Sequence, residues 1–339
     1  MSPIPPLRKS LPLTGVLLAA ATLVIGCGTA GGGIGSSTGS QSATAPAVVA
    51  ADVNSAECGK PTRTIKHDLG STTITGTPHR IAVLELSFVD AIENLGLQPV
   101  GVADDNNRDV LIPALRDKVG NYTPLGLRAS PNLQVITSLK PDLIIADSAE
   151  HSAIYTQLSK IAPTIAVSSD AAGYQETINS EKLIAEAAGK CDRMKAVLDH
   201  HAQVMQGLKA KIPPGDTRKI LFAIGTETGV TGYTPRGFAP GVLAALGLHS
   251  PLPDKGDDFH VSVNLETLVT MKPDVIIMAP HPGKLLLDQW KTTQLWGTLP
   301  AVQKNAVFMV NQNLWSRARG LVAAEQIATE AVQKLAGPA

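Results

Sequence analysis

An α/β protein built as two βα lobes joined by a single long α-helix is expected from this chain on three grounds. From residue 60 onward, short apolar runs alternate with segments of helical periodicity, the pattern of parallel βα units. The phrase NLQVITSLKPDLII (132–145) recurs without a gap as NLETLVTMKPDVII (264–277), with Pro141 and Pro273 standing 132 positions apart. That spacing is too long for a solenoid repeat and fits two similar domains. Between the copies lies the longest stretch free of proline and of β-rich runs, residues 175–212. At 339 residues, 44% hydrophobic and 17% charged, the chain is large enough for two cores.

Residues 1–26 read as an export leader. Arg8 and Lys9 precede LPLTGVLLAAATLVIG (11–26), an uncharged run short for a membrane span. It ends in VIGC (24–27), which resembles the lipobox of bacterial lipoproteins and makes Cys27 the lipidated first mature residue. An ordinary leader with an incidental Cys is the competing reading, and the small Gly26 just before the Cys favours the lipobox. The expected location is therefore outside the cytoplasm, anchored by lipid at the cell envelope. Residues 27–59 are that Cys and a Gly/Ser/Thr/Ala-rich tether; about 29 such residues span roughly 30 Å. Gly26, Gly28 and Gly31 satisfy the dinucleotide fingerprint, but with no strand before and no helix after they lack the context that gives it meaning.

Charge excludes a nucleic-acid partner. The 29 basic and 29 acidic residues balance, and loss of Arg8 and Lys9 with the leader leaves a slightly acidic mature chain without a basic run. Cys58 and Cys191 are the remaining cysteines; export puts them where a disulfide can form, and a bridge and two separate thiols are both open.

The first lobe (60–173) has strand-like runs at RIAVLEL (80–86), PVGVAD (99–104), DLIIADS (142–148) and TIAVSS (164–169). Helical spacing falls on SFVDAIENLG (87–96) and SPNLQVITSL (130–139). In the repeated phrase a helix ends before Lys-Pro, because proline disfavours helical dihedrals in the residue ahead of it. The unbroken LII or VII that follows is a strand buried on both faces. This motif is architecture and carries no chemistry. The connecting segment (174–212) reads as one helix with a break near Gly189. The second lobe (213–339) resumes with KILFAIGT (219–226), DVIIMAP (274–280) and AVFMVNQ (306–312), and closes on the helix LVAAEQIATEAVQKL (321–335).

Ligands of open parallel sheets bind beyond the carboxyl ends of the strands, and two facing lobes make a cleft there. Five of the chain's eleven arginines fall in those turns: Arg108, Arg128, Arg236, Arg317 and Arg319. In NLWSRARG (313–320), Trp315, Arg317 and Arg319 share one face if the segment is extended. A planar aromatic beside two forked donors suits a carboxylate-rich anion. Each charge-assisted hydrogen bond contributes roughly 1.5–3 kcal/mol, and micromolar capture needs about 8 kcal/mol. Three or four shared contacts suffice; one does not.

The phrases VADDNN (102–107), VGNYTPLGLRASPNLQVITSLKPDLIIAD (119–147) and NLWSRARGLVAAEQIA (313–328) resemble the substrate-binding proteins of iron-complex ABC importers, nearest to the ferric dicitrate-binding branch. The likeness spans about residues 60–336. It implies the class III periplasmic-binding-protein fold, with Arg128, Trp315, Arg317 and Arg319 lining the site and Arg236 and Arg108 at its margin. It also implies a ferric citrate-like chelate as cargo, gripped by its carboxylates, with no direct protein ligand to iron and no cofactor. An ABC permease and ATPase complex is the implied partner. Members dock on the permease through one surface Glu per lobe. Glu266 matches in the second lobe, whereas Gln134 stands in the first, with Glu93 as the acidic neighbour available to replace it.

The rival readings are a binding protein for haem, cobalamin or a bare divalent metal ion. His151, His260 and His281 fall near strand ends, but no two have a tight ligand spacing. Catalysis is not expected. The chain has no G-x-S-x-G, phosphate-binding lysine loop or H-E-x-x-H, and Glu85 and Asp147 at strand ends are as well explained as partners of arginines.

Overall fold

The computed structural model describes residues 57–254 and 259–336. The expected leader, Cys27 and the tether up to residue 56 lie outside the described residues. The described chain enters through an antiparallel hairpin, β1 (Thr62–His67) and β2 (Gly70–Thr75). Its period-two alternation buries Ile65 and Ile74. With so few apolar residues among threonines, the hairpin escapes a reading based on hydrophobic runs.

The first lobe follows as β3 (Ile81–Val83), α1 (Leu86–Asn94), β4 (Pro99–Val102), α2 (Pro113–Arg116) and β5 (Thr123–Pro124). A two-residue hairpin, β6 (Gly126–Leu127) and β7 (Ser130–Pro131), then leads to α3 (Leu133–Ser138), β8 (Leu143–Asp147), α4 (Tyr155–Ile161) and β9 (Thr164–Val167). The sheet is parallel throughout, in the order β5-β4-β3-β8-β9. All four strand-like runs of this lobe become strands. The first ends at Val83, because Glu85 already caps α1.

The connection is the expected helical segment, broken at Gly189 into α5 (Tyr174–Ala188) and α6 (Cys191–Lys209). Gly189 ends α5 in the left-handed region at φ 66°, where a glycine costs least, and its amide and that of Lys190 close onto carbonyls of the last turn. Beside the break, Cys191 is bridged to Cys58 with their Cα atoms 6.2 Å apart. The disulfide ties the end of the tether to the start of α6.

The second lobe holds β10 (Ile220–Gly225), β11 (Val230–Tyr233), α7 (Phe238–Ala245), β12 (His260–Ser262), α8 (Leu265–Met271) and β13 (Val275–Pro280). It ends with α9 (Leu286–Trp290), α10 (Pro300–Gln303), β14 (Val307–Met309) and α11 (Leu321–Leu335). Its sheet, ordered β12-β11-β10-β13-β14, is mixed: β10, β13 and β14 are parallel, while β11 runs antiparallel to both β10 and β12. The TETGVTGYTPRGF stretch (226–238), which follows the KILFAIGT strand, contains β11.

The repeated phrase is the same structure twice. Asn132 and Asn264 cap α3 and α8 by accepting backbone amides. Lys140 and Lys272 both leave their helices in the left-handed region, at φ 47° and 49°. Asp142 and Asp274 then accept backbone amides at the entry to the neighbouring strand, from His79 and Arg80 in one lobe and Lys219 in the other.

One continuous core runs from the inner face of the first sheet (Val83, Ile145) through α1, α5, α6 and α11 to that of the second (Phe222, Ile277). Smaller cores fill the outer faces. The two lobes therefore share a packed helical layer.

Candidate functional site

Glu85 stands at the junction of β3 and α1. It is extended (φ −142°, ψ 154°) and caps α1 with its own carboxylate, which accepts the Leu86 amide. The side chain is only 2% exposed. Arg128, in the turn between β6 and β7, donates through Nη1 to Glu85 Oε2 at 3.2 Å and through Nε to Asp105 Oδ2 at 3.1 Å. Arg319 approaches from the other lobe, and its charge acts on the same Glu85 carboxyl. Burial pushes the Glu85 carboxyl above its usual range; Arg128 and then Arg319 pull it back without cancelling that effect.

The turn carrying Arg128 is anchored from below. His151 is fully buried, its Nδ1 accepts the Asp147 amide, and its Nε2 meets the Arg128 carbonyl at 2.8 Å. Nε2 therefore carries the proton and donates it to that carbonyl. The residue weighed as a metal ligand is a brace for Arg128. Asp147 accepts four amides, from Ala149, Glu150, Ser169 and Asp170. It shapes the turn from which Asp170 pairs with Arg319 at 3.1 Å. Among the described residues, the second terminal nitrogen of Arg319, Nη1, is buried with no hydrogen-bond partner.

Two buried acids set the position of Arg319. Asp90 on α1 accepts the amides of Val322 and Ala323, and Glu181 on α5 accepts that of Leu321; Asn94 donates to both. The positive end of α11 thus rests on carboxylates from the first lobe and the connecting helix. Burial, opposed by these amides, raises the Asp90 pKa to about 7. Burial, reinforced by the Asp90 charge, pushes Glu181 well above the usual carboxylate range. Gly320, at φ 150°, makes this contact possible, since a Cβ there would collide with the Asp90 side chain. Sequence reading missed both acids, which lie inside ordinary helical patterns.

The remaining expected site residues divide. Residues Asn313–Arg317 wind into a wide helical turn closed by the Ala318 amide on the Asn313 carbonyl, so Trp315, Arg317 and Arg319 do not share an extended face. Trp315 is 1% exposed, packs on Phe222 and donates to Glu330. It forms part of the floor and offers no stacking surface to an incoming anion, contrary to expectation. Arg317 is half-buried near Asn313, whose side chain donates to the Asp109 carbonyl of the first lobe. Arg108 is a correction: its guanidinium is spent on the carbonyls of Arg116, Val119 and Gly120 and on the face of Tyr122. Arg236 lies over the Phe259 ring and faces a groove of about 400 Å³ with Tyr174 and Asp254, beside the arginine pair and outside it.

Beneath Arg319, a pocket of about 70 Å³ is lined by Asp170, Tyr233, His260, Trp315 and Ser316. Such a space admits about two waters, so a chelate must sit at its mouth. Among the described residues no three His, Cys, Asp or Glu side chains form a metal-holding group. His260 packs edge-on against Tyr233, and His281 is exposed. On the outer surface, Gln134 and Glu266 occupy the same exposed position in the first turns of α3 and α8. Glu93 is half-buried on α1, where its carboxylate accepts from Gln98.

The profile of the periplasmic binding protein family matches residues 81–314. The Fe(3+)-citrate-binding protein YfmC of Bacillus subtilis (strain 168) is 40% identical over 276 residues, covering 81% of this chain and 87% of that protein. The Fe(3+) dicitrate-binding periplasmic protein FecB of Escherichia coli (strain K12) is 36% identical over 270 residues, covering 80% and 89%. Among solved structures, Staphylococcus aureus SirA complexed with staphyloferrin B superposes with a TM-score of 0.71 at 24% identity, over 81% of this chain and 99% of SirA.

Proposed function

This chain belongs to the periplasmic binding protein family, and from that premise we propose that it captures an anionic ferric chelate of the ferric citrate type for delivery to an ABC permease. The observation that carries the reading is a guanidinium from each lobe held at the same cluster. Arg128 is paired with Glu85 and Asp105, and Arg319 is paired across the lobes with Asp170, its charge also acting on the Glu85 carboxyl. Arg319 has a donor nitrogen left to give, and Arg128 stays partly exposed at the cleft. Three or four charge-assisted contacts at about 1.5–3 kcal/mol each, shared among Arg128, Arg319 and Arg317, reach the order of micromolar capture.

Iron enters as cargo inside its chelate, and the reading assigns no catalytic residue. A lipid anchor at Cys27 is proposed from the VIGC motif, and it would hold the protein near its permease. Glu266 offers one docking carboxylate; Gln134 at the equivalent position offers a neutral contact. The reading is tested by titrating the leaderless protein with ferric citrate, zinc, haemin and cobalamin while following tryptophan fluorescence. Saturable quenching by ferric citrate is expected. A response to zinc alone would overturn the reading.

A further inference from the structure

Glu85 and Asp147 are equally buried acids at neighbouring strand ends, 2% and 1% exposed, yet they are held very differently. Asp147 accepts four backbone amides, which no ligand can remove. Glu85 accepts one amide, from Leu86, and otherwise depends on Arg128. Arg128 and Arg319 are also the groups that an anionic chelate must engage. The ligand and Glu85 therefore compete for the same positive charge.

We propose that Glu85 takes up a proton when an anionic chelate seats on Arg128 and Arg319, so that capture is linked to proton binding; the inference rests on the ligand reading above. A like charge brought within about 6 Å disfavours the ionised form of a carboxyl, and burial does the same. The other charged groups facing this point are Asp104 and Asp105 after β4, Asp147 at the end of β8 and Asp170 after β9. Asp105 and Asp170 are 29% and 50% exposed and have water to replace the arginine. Asp104 is buried, with one oxygen bonded by Tyr122 and the other without a partner among the described residues. It pairs with neither arginine and loses nothing to the chelate, and Asp147 is held by its four amides. Glu85 has neither water nor fixed dipoles in sufficient number. The proton comes from solvent and resides on a Glu85 carboxyl oxygen, leaving Arg128 free for the chelate. The site already carries this bias before any ligand arrives, since burial holds the Glu85 carboxyl above its usual range.

The test is calorimetric titration with ferric citrate near neutral pH, in buffers of different ionisation enthalpy, for the wild-type protein and Glu85→Gln. Gln keeps the shape and the acceptor oxygen while removing the titration. Any proton exchange by the chelate itself is common to both proteins. The wild type should show a buffer dependence greater by up to about one proton, and an affinity that falls by up to about tenfold more per unit rise in pH than that of Glu85→Gln. On the unmodified protein, carbon-13 labelling of glutamate should identify a protonated-carboxyl infrared band that appears on binding. Equal buffer dependence in both proteins, or no labelled band, overturns the inference and leaves the ligand reading standing. Failure of both proteins to bind ferric citrate overturns the ligand reading, and this inference with it.

Discussion

Arg128 and Arg319 reach the carboxyl of Glu85 from opposite lobes, one by a direct contact at 3.2 Å and the other through its field. Three short stretches far apart in the chain thus meet in one charged cluster. Removing either arginine leaves a buried acid under-compensated as well as a donor lost. Arg128→Ala is expected to weaken ferric citrate binding about tenfold to a hundredfold, the equivalent of one charge-assisted contact. Equilibrium titration of the leaderless protein measures it.

The arginines of the WSRARG segment should separate. Among the described residues Arg319 carries a buried, unsatisfied nitrogen and an ion pair across the lobes, whereas Arg317 has only a long contact to Asn313. Arg319→Ala should cost at least about tenfold in affinity and Arg317→Ala less, on the scale of charge-assisted contacts. Changing both should exceed either. Trp315→Phe removes the bond to Glu330 and packing on Phe222, so it should lower thermal stability with little effect on affinity.

Gly320→Ala should be among the most damaging single changes. Both its φ of 150° and the neighbouring Asp90 side chain exclude a Cβ. A loss of roughly 2–4 kcal/mol in unfolding free energy is expected. Because α11 would shift with Arg319 at its head, affinity should fall in the fraction that still folds.

Stability should depend on Asp90. Its pKa is raised from 3.8 to about 7 in the folded chain, so the folded state holds the proton more tightly than the unfolded one. That contribution is complete below the unfolded value and fades as pH rises through the folded one. Between about pH 4 and 7 this group should lower stability with rising pH, by up to about 1.4 kcal/mol per unit. Asp90→Asn imitates the protonated acid and should flatten that slope in denaturant unfolding measured across the window. An unchanged slope would show that Asp90 does not titrate there.

The Cys58–Cys191 bridge closes a loop with a sequence separation of 133. Chain-entropy arguments assign such a loop about 4–5 kcal/mol. Reduction, or Cys58→Ser with Cys191→Ser, should lower the melting temperature, while the arginine pair, built from other segments, keeps its affinity.

Much of this architecture was legible in the sequence because it is written in hydrophobic runs. The phrase around Pro141 and Pro273 exposed the two-lobe plan, and the unbroken LII and VII marked doubly buried strands. The β1–β2 hairpin and the antiparallel β11 and β12 were not legible, since such short strands, poor in apolar residues, bury too few of them to stand out. At the site, arginine at a strand end pointed to Arg128 and Arg319, which the structure pairs with Glu85 and Asp170. The same signal misplaced Arg108, because a guanidinium serves a carbonyl cluster as readily as a ligand. Trp315 was misjudged by assuming an extended segment where the backbone coils. Asp90 and Glu181 gave no signal, as acids in a helix normally mark its solvent face. Only the fold turns them inward.

The central claim is that guanidinium groups from both lobes hold one negatively charged guest. Calorimetric titration of the Arg128→Ala, Arg319→Ala double variant with ferric citrate tests it most directly, with circular dichroism confirming the fold. The account predicts saturable micromolar binding by the wild type and none by the double variant in the same range. Wild-type affinity in a folded double variant would contradict it.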